Sequence, residues 1–317
     1  MSVIRSEAPQ PFQYQGSKRS LAKRIVEAIP DSASQLVEPF AGSAAVTLAA
    51  AYYGRVGSFL VNDVNEPLVD LWRAIVHEPD DLVERYSQLW HDQQIGDSRD
   101  YYDLVRDRFN TSARPAPADM LYLLSRAVKG AVRYNSAGAF NQSPDKRRLG
   151  TRPATLRRRF RQISVMLSGR CTFSSADYLE VLANVNGDSV IYMDPPYEGV
   201  SGSRDTRYSS GLERDSFMEA LAGLTRRGVS FILSYDGRTG SKTYGDPLPT
   251  ALGLTRIDIN VGRSASATLL GRAAETVEAL YLSQALVDRG YGPKDGPQQM
   301  ALVDVGSGGR DIQEGAE

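Results

Sequence analysis

Residues 34–63 read SQLVEPFAGSAAVTLAAAYYGRVGSFLVND, and the order of patterns in them decides the fold class. Leu36 and Val37 lie in a short apolar run that Glu38, Pro39 and Gly42 break as a tight turn. An alanine-rich stretch then reads as a helix closing at Gly54. Ser58 to Val61 make a second apolar run, stopped by the polar pair Asn62 and Asp63, and EPLVDLWRAI after it is helical again. Strand, turn, helix and strand in that order begin a βαβ series, which implies a largely parallel sheet covered by helices.

Upstream, SKRSLAKRIVEAIP spaces Leu21, Ile25 and Ile29 four apart among charges, the pattern of an amphipathic helix ended by Pro30. Downstream the alternation stops for roughly a hundred residues, far longer than a βα connection. Between Glu66 and Leu167 the pattern is helical, interrupted by TSARPAPAD and by KGAVRYNSAGAFNQSPDKRRLG. Strand signals resume at Cys171–Phe173, Val190–Met193, Val229–Ser234, Thr255–Asn260 and Val277–Leu282. The expected architecture is therefore α/β: a Rossmann-like, mixed, mostly parallel sheet built from residues 1–66 and 168–288, with a helical domain inserted at 67–167. The tail, 289–317, has no periodic apolar pattern and is expected to be disordered.

Composition limits the chemistry. The apolar fraction, 41%, is that of an ordinary globular protein. No window approaches the ~20 apolar residues of a membrane span, and MSVIRSEAPQ carries no leader-like apolar run, so a cytoplasmic location is expected. A single cysteine, Cys171, excludes an internal disulfide and reads as a strand residue facing the core. His77 and His91, without cysteine partners, make no zinc pattern and no metal is expected. Carboxylates, backbone groups or an organic cofactor remain. Net charge is only −1, but Arg126–Arg170 holds twelve Lys/Arg against one acid, so that block carries +11 and the rest of the chain −12. Such asymmetry is the footprint of a polyanion-binding region.

The first constellation is VEPFAGSAA with Asp63, twenty-one residues beyond Gly42. A glycine after the first strand lets a ligand approach the backbone, and an acid after the second can accept from ribose hydroxyls. Ser43 and Ala44 stand where a G-x-G-x-x-G dinucleotide loop needs more glycine, which disfavours NAD and favours S-adenosyl-L-methionine, a ligand with no phosphate to cradle. A plain glycine turn with Asp63 as a helix cap explains the same residues.

The second is Asp194-Pro195-Pro196-Tyr197, at the end of the strand in DSVIYMDPPYEGV. Two prolines fix an extended backbone without N–H groups, so the turn offers only acceptors: the Asp194 carboxylate and the Asp194 and Pro195 carbonyls. Acceptors suit an exocyclic amine. Holding its hydrogens out of conjugation localises the nitrogen lone pair towards a methyl donor, and Tyr197 supplies a face for a base that has left the duplex. A proline turn with a packed tyrosine is the plainer alternative.

The third is the loop VRYNSAGAFNQSPDKRR with the helix LRRRFRQ after it. Arg133, Asn135, Asn141 and Gln142 suit base edges, Tyr134 and Phe140 can wedge or stack, Lys146 to Arg148 suit phosphates, and Ser136 is a further DNA-binding candidate. Arg157 to Arg159 serve equally well as a solvated helix face. A fourth stretch, EGVSGSRDTRYSSG, brings Arg204 and Arg207 beside the proline turn, where they could hold a flipped strand.

Together these blocks resemble the Dam-type (α-class) DNA adenine-N6 methyltransferases. YQGSK at Tyr14–Lys18 is similar to that family's W-a-G-g-K segment with Tyr14 in place of tryptophan, and EPFAGS resembles its E-P-F-x-G-x signature. Asn62-Asp63, RYNSAGAFN, DYLEVL at Asp177–Leu182 and YMDPPY follow in the family's order. The resemblance implies cofactor contacts from Tyr14, Gly16, Lys18, Glu38, Phe40, Gly42, Asp63, Asp177, Tyr178 and Asp194. It implies methyl transfer at Asp194, Pro195, Pro196 and Tyr197 to an adenine in double-stranded DNA; a monomer is expected, either alone or alongside a separate restriction endonuclease. Two other activities fit less well: cytosine-N4 methylation, disfavoured by Asp194 where serine would head the motif, and a DNA-binding regulator of the same fold that has lost catalysis.

Overall fold

The computed structural model describes residues 8–185, 187–196, 213–240, 242–263 and 275–291. Tyr197, Arg204, Arg207 and the tail from 292 lie outside the described residues.

The core strand β1 (Gln35–Glu38) is paired in parallel with β2 (Ser58–Asn62) and β4 (Ser189–Met193). Outside them, β3 (Cys171–Ser174) joins β2 and β5 (Ser230–Thr239) joins β4, also in parallel. The second half of the sheet is antiparallel: β6 (Lys242–Tyr244) and β8 (Glu275–Leu282) pair with β5, and β7 (Thr255–Arg263) pairs with β8. The main path runs β3-β2-β1-β4-β5-β8-β7, a mixed, mostly parallel α/β sheet. Val37 is in register with both Leu60 and Ile191, so the carboxyl ends of the three central strands finish at one level.

Alternation along the strands sorts the residues by face. Leu36, Val190, Tyr192, Ile232 and Leu280 belong to one apolar cluster, and Val37, Ile191, Met193, Leu233 and Tyr281 to the other. The first cluster is closed by α1 (Arg19–Glu27) and α2 (Ala45–Tyr52), the second by α8 (Tyr178–Ala183) and α9 (Arg214–Arg226). A short α10 (Gln284–Asp288) follows β8. Helix α1 stops at Glu27, a turn earlier than Pro30, because the Ala28 and Ile29 amides already close the last turn on Ile25 and Val26.

The long helical stretch consists of α3 (Glu66–His77), α4 (Pro79–Asp92), α5 (Ser98–Thr111), α6 (Pro117–Arg126) and α7 (Pro153–Leu167). Asn65 caps α3 and Pro67 occupies its first turn, where a missing N–H costs nothing. Trp72, Tyr86, Tyr102, Tyr122 and Phe160 are fully buried in the same cluster as Leu36 and Val190. The helices therefore share a core with the sheet face that carries α1 and α2.

Candidate active site

Gly42 takes a left-handed conformation, φ +49°, directly after β1, and a Cβ there would come within 2.9 Å of the Tyr14 ring. Both facts favour glycine. The turn is held from three sides. The Gly42 N–H donates to Asp63 Oδ2 at 2.9 Å, Trp72 Nε1 donates to the Gly42 carbonyl at 2.9 Å, and the Ser43 hydroxyl donates to Ser17 Oγ at 2.7 Å. Asp63 also accepts from the Asn65 N–H at 3.0 Å and is 3% exposed. In this arrangement it clamps the glycine turn. Burial raises its pKa above the carboxylate norm while the two N–H donors oppose the rise.

Glu38 ends β1, is 2% exposed, and accepts from the Thr47 N–H at 3.1 Å in the first turn of α2. A carboxyl at a helix N-terminus is favourably placed, but burial dominates and pushes it up to about 7, and the nearby Asp194 charge adds to the rise.

Asp194 follows β4, two residues beyond Tyr192, whose hydroxyl is linked to Ser234 Oγ at 2.9 Å. Lys18 is the residue before α1, and its 9%-exposed side chain turns inward, with Nζ 3.0 Å from Asp194 Oδ1 and 3.2 Å from Glu278 Oε2. Pro195 is buried and Pro196 half-buried, so the acceptor turn is rigid and partly closed from water. No sequence pattern marked Glu278. Its face of β8 could have been inferred from the Leu280 and Leu282 alternation, but its neighbours could not.

On the other face, Phe40, Tyr178, Phe217 and Tyr235 form an aromatic wall at the same edge. Phe40 and Tyr178 ring centroids are 5.2 Å apart, and Phe217 stacks on Tyr235 at 5.9 Å. Asp177 caps α8 through the Leu179 N–H at 2.8 Å and is otherwise exposed. Gly16 sits exposed at φ +84° between Tyr14 and Lys18. Cys171 is half-buried at the start of β3, and burial pushes its thiol up to about 12, which removes it as a nucleophile at neutral pH.

The loop from 127 to 150 has its own frame. Gly130, φ +61°, passes so close to Gln13 that a Cβ would collide with that carbonyl, and the Gln15 N–H donates to the Gly130 carbonyl at 3.0 Å. Asn135 Oδ1 accepts from the Ala137 and Ala139 N–H groups at 3.0 and 2.9 Å, closing the loop tip. Tyr134 is half-buried, with its hydroxyl donating to Asn65 Oδ1 at 3.1 Å. Phe140 corrects a sequence expectation: it is 1% exposed, packs on Phe109, and exchanges two backbone hydrogen bonds with the Asn110 amide, so it anchors the loop and has no face for a base. Gln142 is likewise buried. Arg133, Ser136, Asn141, Lys146 and Arg147 are exposed.

The basic block divides in the same way. Arg157 pairs with Asp80 and Glu84, and Arg161 forks onto Asp80 at 2.8 and 3.1 Å, holding that carboxyl below the usual range. Arg126 is buried against Gln93, and Arg170 donates to the Val56, Gly57 and Met166 carbonyls. Among the described residues no cluster of ligands suits a metal ion, and no helix is long and apolar enough to cross a membrane.

Residues 14–262 match the family described as D12 class N6 adenine-specific DNA methyltransferase. The chain is 27% identical over 304 residues to the Retron Ec67 DNA adenine methylase of Escherichia coli, covering 93% of this chain and 98% of that protein. It is 29% identical over 240 residues to a DNA adenine methylase of Vibrio cholerae, 73% of this chain and 82% of the relative. Over 230 residues it is 26% identical to the DNA adenine methylase of Escherichia coli strain K12, 70% of this chain and 79% of the relative.

Proposed function

The chain belongs to the D12 class N6 adenine-specific DNA methyltransferase family, and from that premise we propose that it uses S-adenosyl-L-methionine and methylates an adenine flipped out of duplex DNA at the Asp194-Pro195-Pro196-Tyr197 motif. The observation that carries this reading is the acceptor turn, fixed by Pro195 and Pro196 and ion-paired to Lys18, one strand away from a single-glycine turn.

The residues fit the cofactor. A one-glycine turn against the Tyr14 ring suits a ligand without phosphates, the Phe40 and Tyr178 rings offer an apolar wall for an adenine, and the acids Glu38, Asp194 and Glu278 gather where a cation would be favoured. When bound, S-adenosyl-L-methionine supplies an electrophilic methyl group. Tyr14, Gly16, Lys18, Glu38, Phe40, Gly42, Asp63, Asp177 and Tyr178 are its proposed holders, and Asp63 also keeps the glycine turn in place. The Asp194 carboxylate and the Pro195 carbonyl accept from the two N6 hydrogens, orient the amine, and leave its lone pair directed outward. Asp194 is also the nearest base for the proton that the amine sheds.

Exposed side chains of the 133–148 loop are the proposed readers and clamps of DNA: Arg133, Ser136, Asn141, Lys146 and Arg147, with Asn135 and Tyr134 shaping the loop beneath them. The test is incubation with radiolabelled S-adenosyl-L-methionine and mixed-sequence duplex DNA, followed by nucleoside analysis. Label in N6-methyladenine is expected; label in N4-methylcytosine, or none, would overturn the proposal.

A further inference from the structure

We propose that Glu278 is a positioning residue for methyl transfer: by sharing the Lys18 ammonium with Asp194, it keeps the Asp194 carboxylate available to the target amine. The inference rests on the proposed role of Asp194. Glu278 lies on β8, beyond the residues matched by the family and 84 positions after Asp194.

Lys18 is nearly buried, and a buried ammonium is tolerated only where anions compensate it. Asp194 alone could do that, at a cost to its chemistry. An ammonium at 3.0 Å competes for the oxygen that must accept from N6–H, and it screens the negative charge that a cationic methyl donor and an amine developing positive charge both require. A second carboxylate at 3.2 Å divides the attraction. The cluster of Lys18, Asp194 and Glu278 then carries one net negative charge where the pair alone would carry none.

The geometry suits this division. Glu278 is level with Gly237 of β5, at the bulge between Ser234 and Gly237, and Gly237 has no room for a side chain because a Cβ would lie 2.7 Å from the Val277 carbonyl. The strand therefore passes close and brings Glu278 over the sheet edge on the face of Lys18. Glu278 Oε2 is fully buried and makes no aligned hydrogen bond among the described residues, so its approach to Lys18 is an ion pair between point charges. An acid held in this way acts through charge more than through directional bonding, which separates it from a structural hydrogen-bond partner.

The experiment measures single-turnover methyl transfer at saturating DNA and cofactor for the full chain, Glu278→Gln, Glu278→Asp, Lys18→Met and the Lys18→Met/Glu278→Gln double variant. Glu278→Gln is expected to slow transfer on the order of tenfold with DNA affinity unchanged, and Glu278→Asp to recover most of the rate because it restores the charge. In the Lys18→Met background the same change should cost less than about twofold, since there is no ammonium left to share. A wild-type rate in Glu278→Gln, equal losses in both backgrounds, or Glu278→Asp as slow as Glu278→Gln at equal thermal stability would each overturn the inference. Absence of methyl transfer in the unmutated chain would instead overturn the proposed function.

Discussion

The carboxyl edge of the sheet and the 133–148 loop both concentrate charge, but they do so under opposite physical conditions. At the edge, Lys18, Glu38 and Asp63 are less than a tenth exposed, and each has its partners from neighbouring strands, turns or helix α2. On the loop, Arg133, Lys146 and Arg147 face water, while the residues that hold the loop's shape, Phe140 and Gly130, are buried and uncharged. Buried charges are costly to misplace and strongly coupled to one another, so the edge should respond to single changes with large, specific losses. Exposed charges act additively and through the salt atmosphere, so the loop should respond by small, graded steps.

The largest expected effect tests the edge directly. Asp194→Ala removes the amine's acceptor and should lower methyl transfer by at least on the order of 10²–10³-fold, the scale of losing one group aimed at developing charge. The fold should survive, since Glu278 still faces the Lys18 ammonium at 3.2 Å. Transfer rate and DNA affinity, measured on the same preparation, decide the point. An unchanged rate would remove Asp194 from the chemistry, and loss of DNA binding would merge the edge and the loop into one functional unit.

Glu38 sharpens the comparison through pH. Burial raises its carboxyl to about 7 from an ordinary 4.5, so the folded chain holds the proton more tightly than the unfolded chain does. Its contribution to stability is therefore complete below about pH 4.5 and is lost as pH rises through about 7. Glu38→Gln keeps an acceptor for the Thr47 N–H and cannot ionise. In urea denaturation, the stability of this variant relative to wild type should grow by up to about 3 kcal/mol between pH 5 and pH 8. A difference that stays flat over that range would mean that Glu38 is already hydrated or paired.

The two regions also differ in how far the sequence can be read. Leu36-Val37, Gly42 and the alanine helix are local signals with the right periods, and they lead to β1, its turn and α2 because neighbours in sequence are neighbours in that unit. The proline turn is legible for the same reason, since Pro195 and Pro196 dictate their own backbone. Glu278 is not, because its meaning comes from Lys18, 260 residues earlier, across a pair of antiparallel strands that leave no mark near the acid. Phe140 misleads in the opposite direction. An aromatic among Asn, Gly and Arg suggests a wedge, but Phe109 and Asn110 from α5 bury it, and no local pattern records that packing. Arg157 and Arg161 join the basic block on composition alone, while Asp80 and Glu84, which neutralise them, lie on a helix more than seventy residues away.

That division of the basic block sets the smallest and most diagnostic effect. If exposed loop cations neutralise phosphates, each releases condensed counterions, and the slope of log affinity against log salt changes by about 0.9 for each phosphate left without its cation. Lys146→Ala with Arg147→Ala should therefore flatten the slope by between one and two units, leaving the transfer rate at saturating DNA unchanged. The matching Arg157→Ala with Arg161→Ala change removes the same formal charge but breaks pairs with Asp80 and Glu84, freeing those acids as the arginines vanish. Its slope should stay within about half a unit of wild type by the same counting. Equal slopes for the two double variants would show that formal charge alone governs binding, and that paired and solvent-facing arginines are equivalent to DNA.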